Sequence, residues 1–82
     1  MDRFQNLISI IIPTLNEELS LAAAVDLARL GEGVEIVVAD GGSSDHTVKI
    51  ARALGVQVVL SQAGRARQMN AGARAPQGAM LL

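Results

Sequence analysis

The stretch Val34-Glu35-Ile36-Val37-Val38-Ala39-Asp40-Gly41-Gly42-Ser43-Ser44-Asp45 decides the fold of this chain. Its opening run is apolar except for Glu35 and rich in β-branched side chains, the pattern of a strand buried on both faces in a parallel sheet. The run ends on a carboxylate, two glycines and a cluster of capping residues, which together form a turn.

Upstream, the spacing predicts a helix over residues 17–30. Asn16 is its expected N-cap, and Glu17 and Glu18 face the positive end of the helix dipole. Leu19, Ala22, Ala23, Leu27 and Leu30 follow a period near 3.6, with Asp26 as the one mismatch, and Gly31 and Gly33 close the helix. Before it, Leu7-Ile8-Ser9-Ile10-Ile11-Ile12 reads as another strand buried on both faces, ended by Pro13, which cannot donate to a ladder.

Downstream, a second helix over 45–54 puts Thr47, Ile50, Ala51 and Leu54 on one face, and Gly55 closes it. A strand over 56–60, a loop at Ser61-Gln62-Ala63-Gly64 and a third helix over 65–75 follow. That helix carries Ala66, Met69, Asn70 and Ala73 on one face. Pro76-Gln77-Gly78 breaks it, and Ala79-Met80-Leu81-Leu82 begins a fourth apolar run. The order β-α-β-α-β-α-β implies an α/β fold with a parallel sheet and right-handed crossovers. The last run is shorter than the ~5–6 residues of an average strand, so the chain is expected to stop inside a domain, at the start of its fourth strand.

The totals narrow the function classes. The chain has 82 residues, 50% hydrophobic, with Phe4 as its sole aromatic and a net charge of -1. One small domain with an aliphatic core fits; disorder does not. The charge balance lacks the electrostatic footprint of a nucleic-acid binder. No apolar run reaches the ~18 residues needed to span a membrane, and the start is too polar and acidic for a secretory signal. The chain has no cysteine, so disulfides and thiolate metal sites are excluded, which fits a cytoplasmic, reducing location.

Ligands of open α/β sheets bind at the carboxyl ends of the strands. Three polar loops lie at that edge: residues 13–17, 40–45 and 61–65. The loops at the opposite edge are short and plain. Asp40, directly after a strand, can accept a ring N–H of a base or pair with ribose hydroxyls; it can equally be a turn former. Gly41-Gly42 permits close backbone approach but matches neither the dinucleotide fingerprint nor the P-loop. Arg65 and Arg67 stand in the first turn of a helix, where cations oppose the dipole. A phosphate there reverses that cost, and guanidinium suits it; the other reading is a pair of solvated arginines. Asn70, on the expected apolar face, needs a partner, either a loop carbonyl or a ligand. Glu17 is a pocket acid or a plain first-turn acid. His46 reads as a solvated turn residue, and one histidine without cysteine makes no zinc site. Ser43 has no histidine partner for a nucleophilic triad.

Three segments resemble glycosyltransferase family 2. Ile10-Ile11-Ile12-Pro13-Thr14-Leu15-Asn16-Glu17-Glu18 resembles the family's opening strand and loop. Val37-Val38-Ala39-Asp40-Gly41-Gly42-Ser43-Ser44-Asp45 is similar to its second-strand motif. Gly64-Arg65-Ala66-Arg67-Gln68-Met69-Asn70-Ala71-Gly72 is similar to its third, and points to a bacterial subgroup of single-domain members. The three occur in order and cover the chain from about Leu7 onward.

The resemblance implies the N-terminal half of a GT-A fold, a Rossmann-like three-layer sandwich. It implies a nucleotide-diphospho-sugar donor, a UDP-sugar first, and an unknown acceptor. On that likeness Pro13, Thr14, Leu15 and Glu17 line the base and ribose pocket. Asp40 binds the base ring, and Arg67 with Arg65 lies near the nucleotide or diphosphate. Many relatives carry an aromatic where Leu15 stands. A divalent metal, Mg or Mn, is expected for the full-length enzyme. Its Asp-x-Asp-type motif and the general base come after the fourth strand, so this chain is expected to hold no metal ligand or catalytic residue and to be inactive alone. Two other readings remain: a non-catalytic nucleotide- or phosphate-binding module, and a small α/β domain that self-associates through an open sheet edge.

Overall fold

The computed structural model describes residues 8–75. Its elements are β1 (Ile8–Thr14), α1 (Leu21–Ala28), β2 (Val34–Asp40), α2 (Thr47–Ala53), β3 (Gln57–Leu60) and α3 (Arg65–Ala73). The three strands form one parallel sheet in the order β1-β2-β3. The expected fourth strand, over 79–82, lies outside the described residues.

Alternation along the strands sorts the core into two faces. On one, Ile36 and Val38, with Ile12 and Val58, pack against Leu21 and Val25 of α1 and Ala51 of α2. The guanidinium of Arg29 donates to the carbonyl of Leu54, tying the ends of α1 and α2 together. On the other face, Ile11 meets α3 at Gly72: a Cβ there would lie 2.5 Å from Cγ2 of Ile11. Only a glycine allows that approach. The result is a three-layer α/β sandwich, as expected of the N-terminal portion of a Rossmann-like GT-A fold.

Four expectations change. First, β1 runs through Pro13 to Thr14. The amide of Ile8 donates to Gly33 and the carbonyl of Thr14 accepts from Gly41, so even-numbered residues of β1 face β2. Pro13 therefore turns its missing donor toward the outer edge, where a ladder with β2 loses nothing. Second, β1 is not buried on both faces among the described residues: Ile8 is exposed and residues 10–13 are half-buried.

Third, α1 starts at Leu21 rather than near Glu17, and Asn16 is not its cap. Asn16 has φ 56°, and its side chain serves another loop. With that start, Leu21, Val25 and Ala28 point inward at i, i+4, i+7. Leu19, Leu27 and Leu30 turn outward and are 97%, 71% and 79% exposed. Fourth, α3 buries Gln68 and Gly72 rather than the face carrying Ala66, Met69, Asn70 and Ala73; Asn70 is exposed. Helix α2 keeps its expected face, with Thr47 and Ala51 buried.

Candidate functional site

The carboxyl ends of β1 and β2 are joined side by side, Thr14 opposite Asp40. Both side chains are buried, and the hydroxyl of Thr14 donates to Oδ1 of Asp40 at 2.7 Å. The hydroxyl of Ser43 donates to the same oxygen at 2.6 Å. Oδ2 accepts from the amides of Gly42 at 3.0 Å and Ser43 at 2.8 Å. Burial pushes the Asp40 carboxyl up, but the donors of Ser43, Thr14 and Gly42 outweigh it and hold the group below the ordinary carboxylate range. With about four lone-pair positions to offer, Asp40 uses them to lock its own turn to β1.

The turn is also fastened to the loop after β1. The amide of Asn16 donates to the hydroxyl of Ser43 at 2.8 Å, and its side-chain oxygen accepts from the amides of Ser44 at 2.8 Å and Asp45 at 3.3 Å. The amide of Glu17 donates to the hydroxyl of Thr47 at 2.8 Å. Asp45 accepts from the amides of Thr47 and Glu18 and from the Thr47 hydroxyl. Desolvation works against these bonds, and the bonds win, lowering its carboxyl. His46 sits over Glu18, Nδ1 to Oε1 3.1 Å. The first two polar loops are thus one rigid unit.

Gln68 fastens the third loop. Its Nε2 donates to the carbonyls of Thr14 and Ala39, at 2.9 Å each, and its Oε1 accepts the amide of Gly64 at 3.1 Å. Gly41 makes room: a Cβ there would meet Gln68 at 2.9 Å and Ala63 at 3.0 Å. Sequence reasoning missed Gln68. Gly72, four residues on, was the available signal, because a small residue on a helix marks the face of close approach.

These fastenings frame a shallow depression of about 300 Å³ lined by Pro13, Thr14, Leu15, Glu17, Arg65 and Gln68. Five of the seven expected binding residues therefore share one place. Asp40 lies beneath it, 1% exposed, touching it through Thr14. Arg67 is not brought there. It lines a second hollow, of about 420 Å³, on the other flank of α3 with Asn70 and Arg74. Glu17 also accepts the hydroxyl of Ser20 at 3.0 Å. Among the described residues, no group of three or more His, Cys, Asp or Glu could hold a metal ion. Among the same residues, no helix is long and apolar enough to cross a membrane.

Fold and site together define a parallel α/β domain with a polar rim built from the loops after its strands. The model of glycosyl transferase family 2 matches residues 9–82, and the chain belongs to that family. No curated protein and no solved structure matches it.

Proposed function

We propose that the depression beside Thr14 and Arg65 binds the nucleotide of a nucleotide-diphospho-sugar, a UDP-sugar first, whose sugar is passed to an acceptor. The convergence of Leu15, Glu17 and Arg65 from two distant segments on one hollow carries this reading. Leu15, 45% exposed, offers an apolar cover for a base. Glu17 offers an acceptor for ribose hydroxyls, and the Arg65 guanidinium a bidentate partner for phosphate. Asp40 holds Thr14 and the glycine turn beneath the base; a ring N–H reaches its carboxylate by replacing one of the two hydroxyls on Oδ1. These residues supply donor binding, and no step of the transfer chemistry is assigned to them. The stretch Gly64–Asn70 supports placement in a bacterial, single-domain branch of the family.

Titration of the chain with UDP, with and without manganese, tests this by calorimetry or NMR. Weak binding with little metal dependence is expected, and Arg65→Ala should weaken it about tenfold, the scale of a hydrogen bond to a charged group. Unchanged affinity in Arg65→Ala would remove the reading. The exposed Leu19, Leu27 and Leu30 favour a second reading, self-association; a stable dimer without UDP affinity would establish it.

A further inference from the structure

All eight aspartates and glutamates of the chain lie at or before Asp45, whereas five of its seven arginines and lysines lie after it. Residues 61–75 carry Arg65, Arg67 and Arg74 and no acid. Arg65 faces the depression described above, and the other two do not. At 3.6 residues per turn, positions 67, 70, 71 and 74 form one stripe of α3 and its C-cap. That stripe lines the second hollow together with Leu60 at the end of β3 and Ser61 and Gln62 after it. The stem of Arg67 leans back toward the start of α3, its Cδ 3.7 Å from the point where a Cβ of Gly64 would stand.

Among the described residues, no carboxylate lines this hollow, and neither the Arg67 nor the Arg74 guanidinium makes a hydrogen bond or ion pair. Two guanidinium groups bring only donors, and the Asn70 amide adds neutral ones; the Ser61 hydroxyl is spent on the carbonyl of Gln62 at 2.9 Å. Such a wall repels cations and matches an oxyanion, which guanidinium binds bidentately. Beside it Leu60 is exposed and apolar. We infer that this hollow is a second anion site, holding the phosphate of a phosphomonoester between Arg67 and Arg74 with the ester's organic body over Leu60. The site is separate from the nucleotide depression and does not depend on that depression's assignment.

Phenyl phosphate is the probe, titrated into the full 82-residue chain at low ionic strength and followed by amide NMR, with phenol as the neutral control. Shifts should gather at Ser61, Arg67, Asn70 and Arg74 and weaken with added salt. Arg65→Ala should leave them in place. The exposed pair Arg67→Ala with Arg74→Ala should weaken binding about tenfold or more, the scale of charge-assisted hydrogen bonds, with the rest of the spectrum unchanged. Shifts spread evenly over all arginines, or unaltered in the double variant, would overturn the site. Co-sedimentation with phosphatidic acid vesicles, lost in the double variant, would assign the phosphate to a lipid headgroup; phenyl phosphate binding without co-sedimentation would assign it to a soluble ester. UDP binding that depends on Arg65 while phenyl phosphate fails would sink this inference and spare the nucleotide reading; the reverse result would do the opposite.

Discussion

Nε2 of Gln68 donates to the main-chain carbonyl of Thr14 across 54 positions of sequence, at 2.9 Å, in a fully buried contact. With its bonds to Ala39 and Gly64, this one amide holds the ends of β1 and β2 to the start of α3. It therefore sets where Arg65 stands relative to Leu15.

Gln68→Leu should remove that clamp at nearly constant volume, while the Thr14 carbonyl keeps the Gly41 amide. Each lost hydrogen bond contributes about 0.5–1.5 kcal/mol, so losing the three made by Gln68 should show in urea denaturation as a clear drop in a small domain's stability. Gln68→Glu should be destabilising as well, because a carboxylate faces two carbonyl oxygens. A Gln68→Leu variant as stable as the parent would show that the clamp is dispensable.

Asp40 and Asp45 both have carboxyls lowered by their hydrogen bonds. A group depressed in the folded state stabilises above its unfolded pKa, ~4 for a carboxylate, and that contribution is lost as pH falls through the folded value. Stability should therefore decline on acidification below about pH 4. Asp40→Asn should start lower at neutral pH and show a shallower acid limb. Identical slopes in the two proteins would assign the acid loss to other groups.

Gly72→Ala puts a methyl 2.5 Å from Cγ2 of Ile11. Overpacking of this kind costs about 1–3 kcal/mol. Ile11→Ala opens the space, so the double variant should recover part of the loss. A double-mutant cycle measures it; additive effects would mean that α3 moves away from β1 without cost.

Leu15→Phe tests the base cover. Base–aromatic stacking is worth about 1–3 kcal/mol, so UDP affinity should rise at least several-fold while inorganic phosphate affinity stays the same. An equal or weaker UDP affinity would place the base elsewhere.

Leucine content alone does not locate the core of α1. Leu21→Ala removes a fully buried side chain and should cost about 2–5 kcal/mol. Leu27→Glu alters an exposed one and should stay within about 0.5 kcal/mol. Thermal unfolding of both variants checks the assignment of the inward face.

The order of strands and helices was legible because β-branched runs, glycine stops and polar turns are local signals, set by backbone sterics within a few residues. Strand β2 and its Asp-Gly-Gly turn could be read that way, as could the buried face of α2. The facing of α1 could not. Leu21-Ala22-Ala23-Ala24-Val25-Asp26-Leu27-Ala28 is apolar nearly all round, so several registers satisfy a 3.6 period, and only packing against Ile36 and Val38 chooses one. The polar clamps were equally hidden. Asn16 looked like a helix cap because its alternative partners, Ser44 and Asp45, are supplied by another loop. Sequence alone placed the loops at one edge of the sheet; the tertiary structure decided that Arg65 joins the β1 loop while Arg67, two residues and about 200° of helical turn away, faces a different hollow.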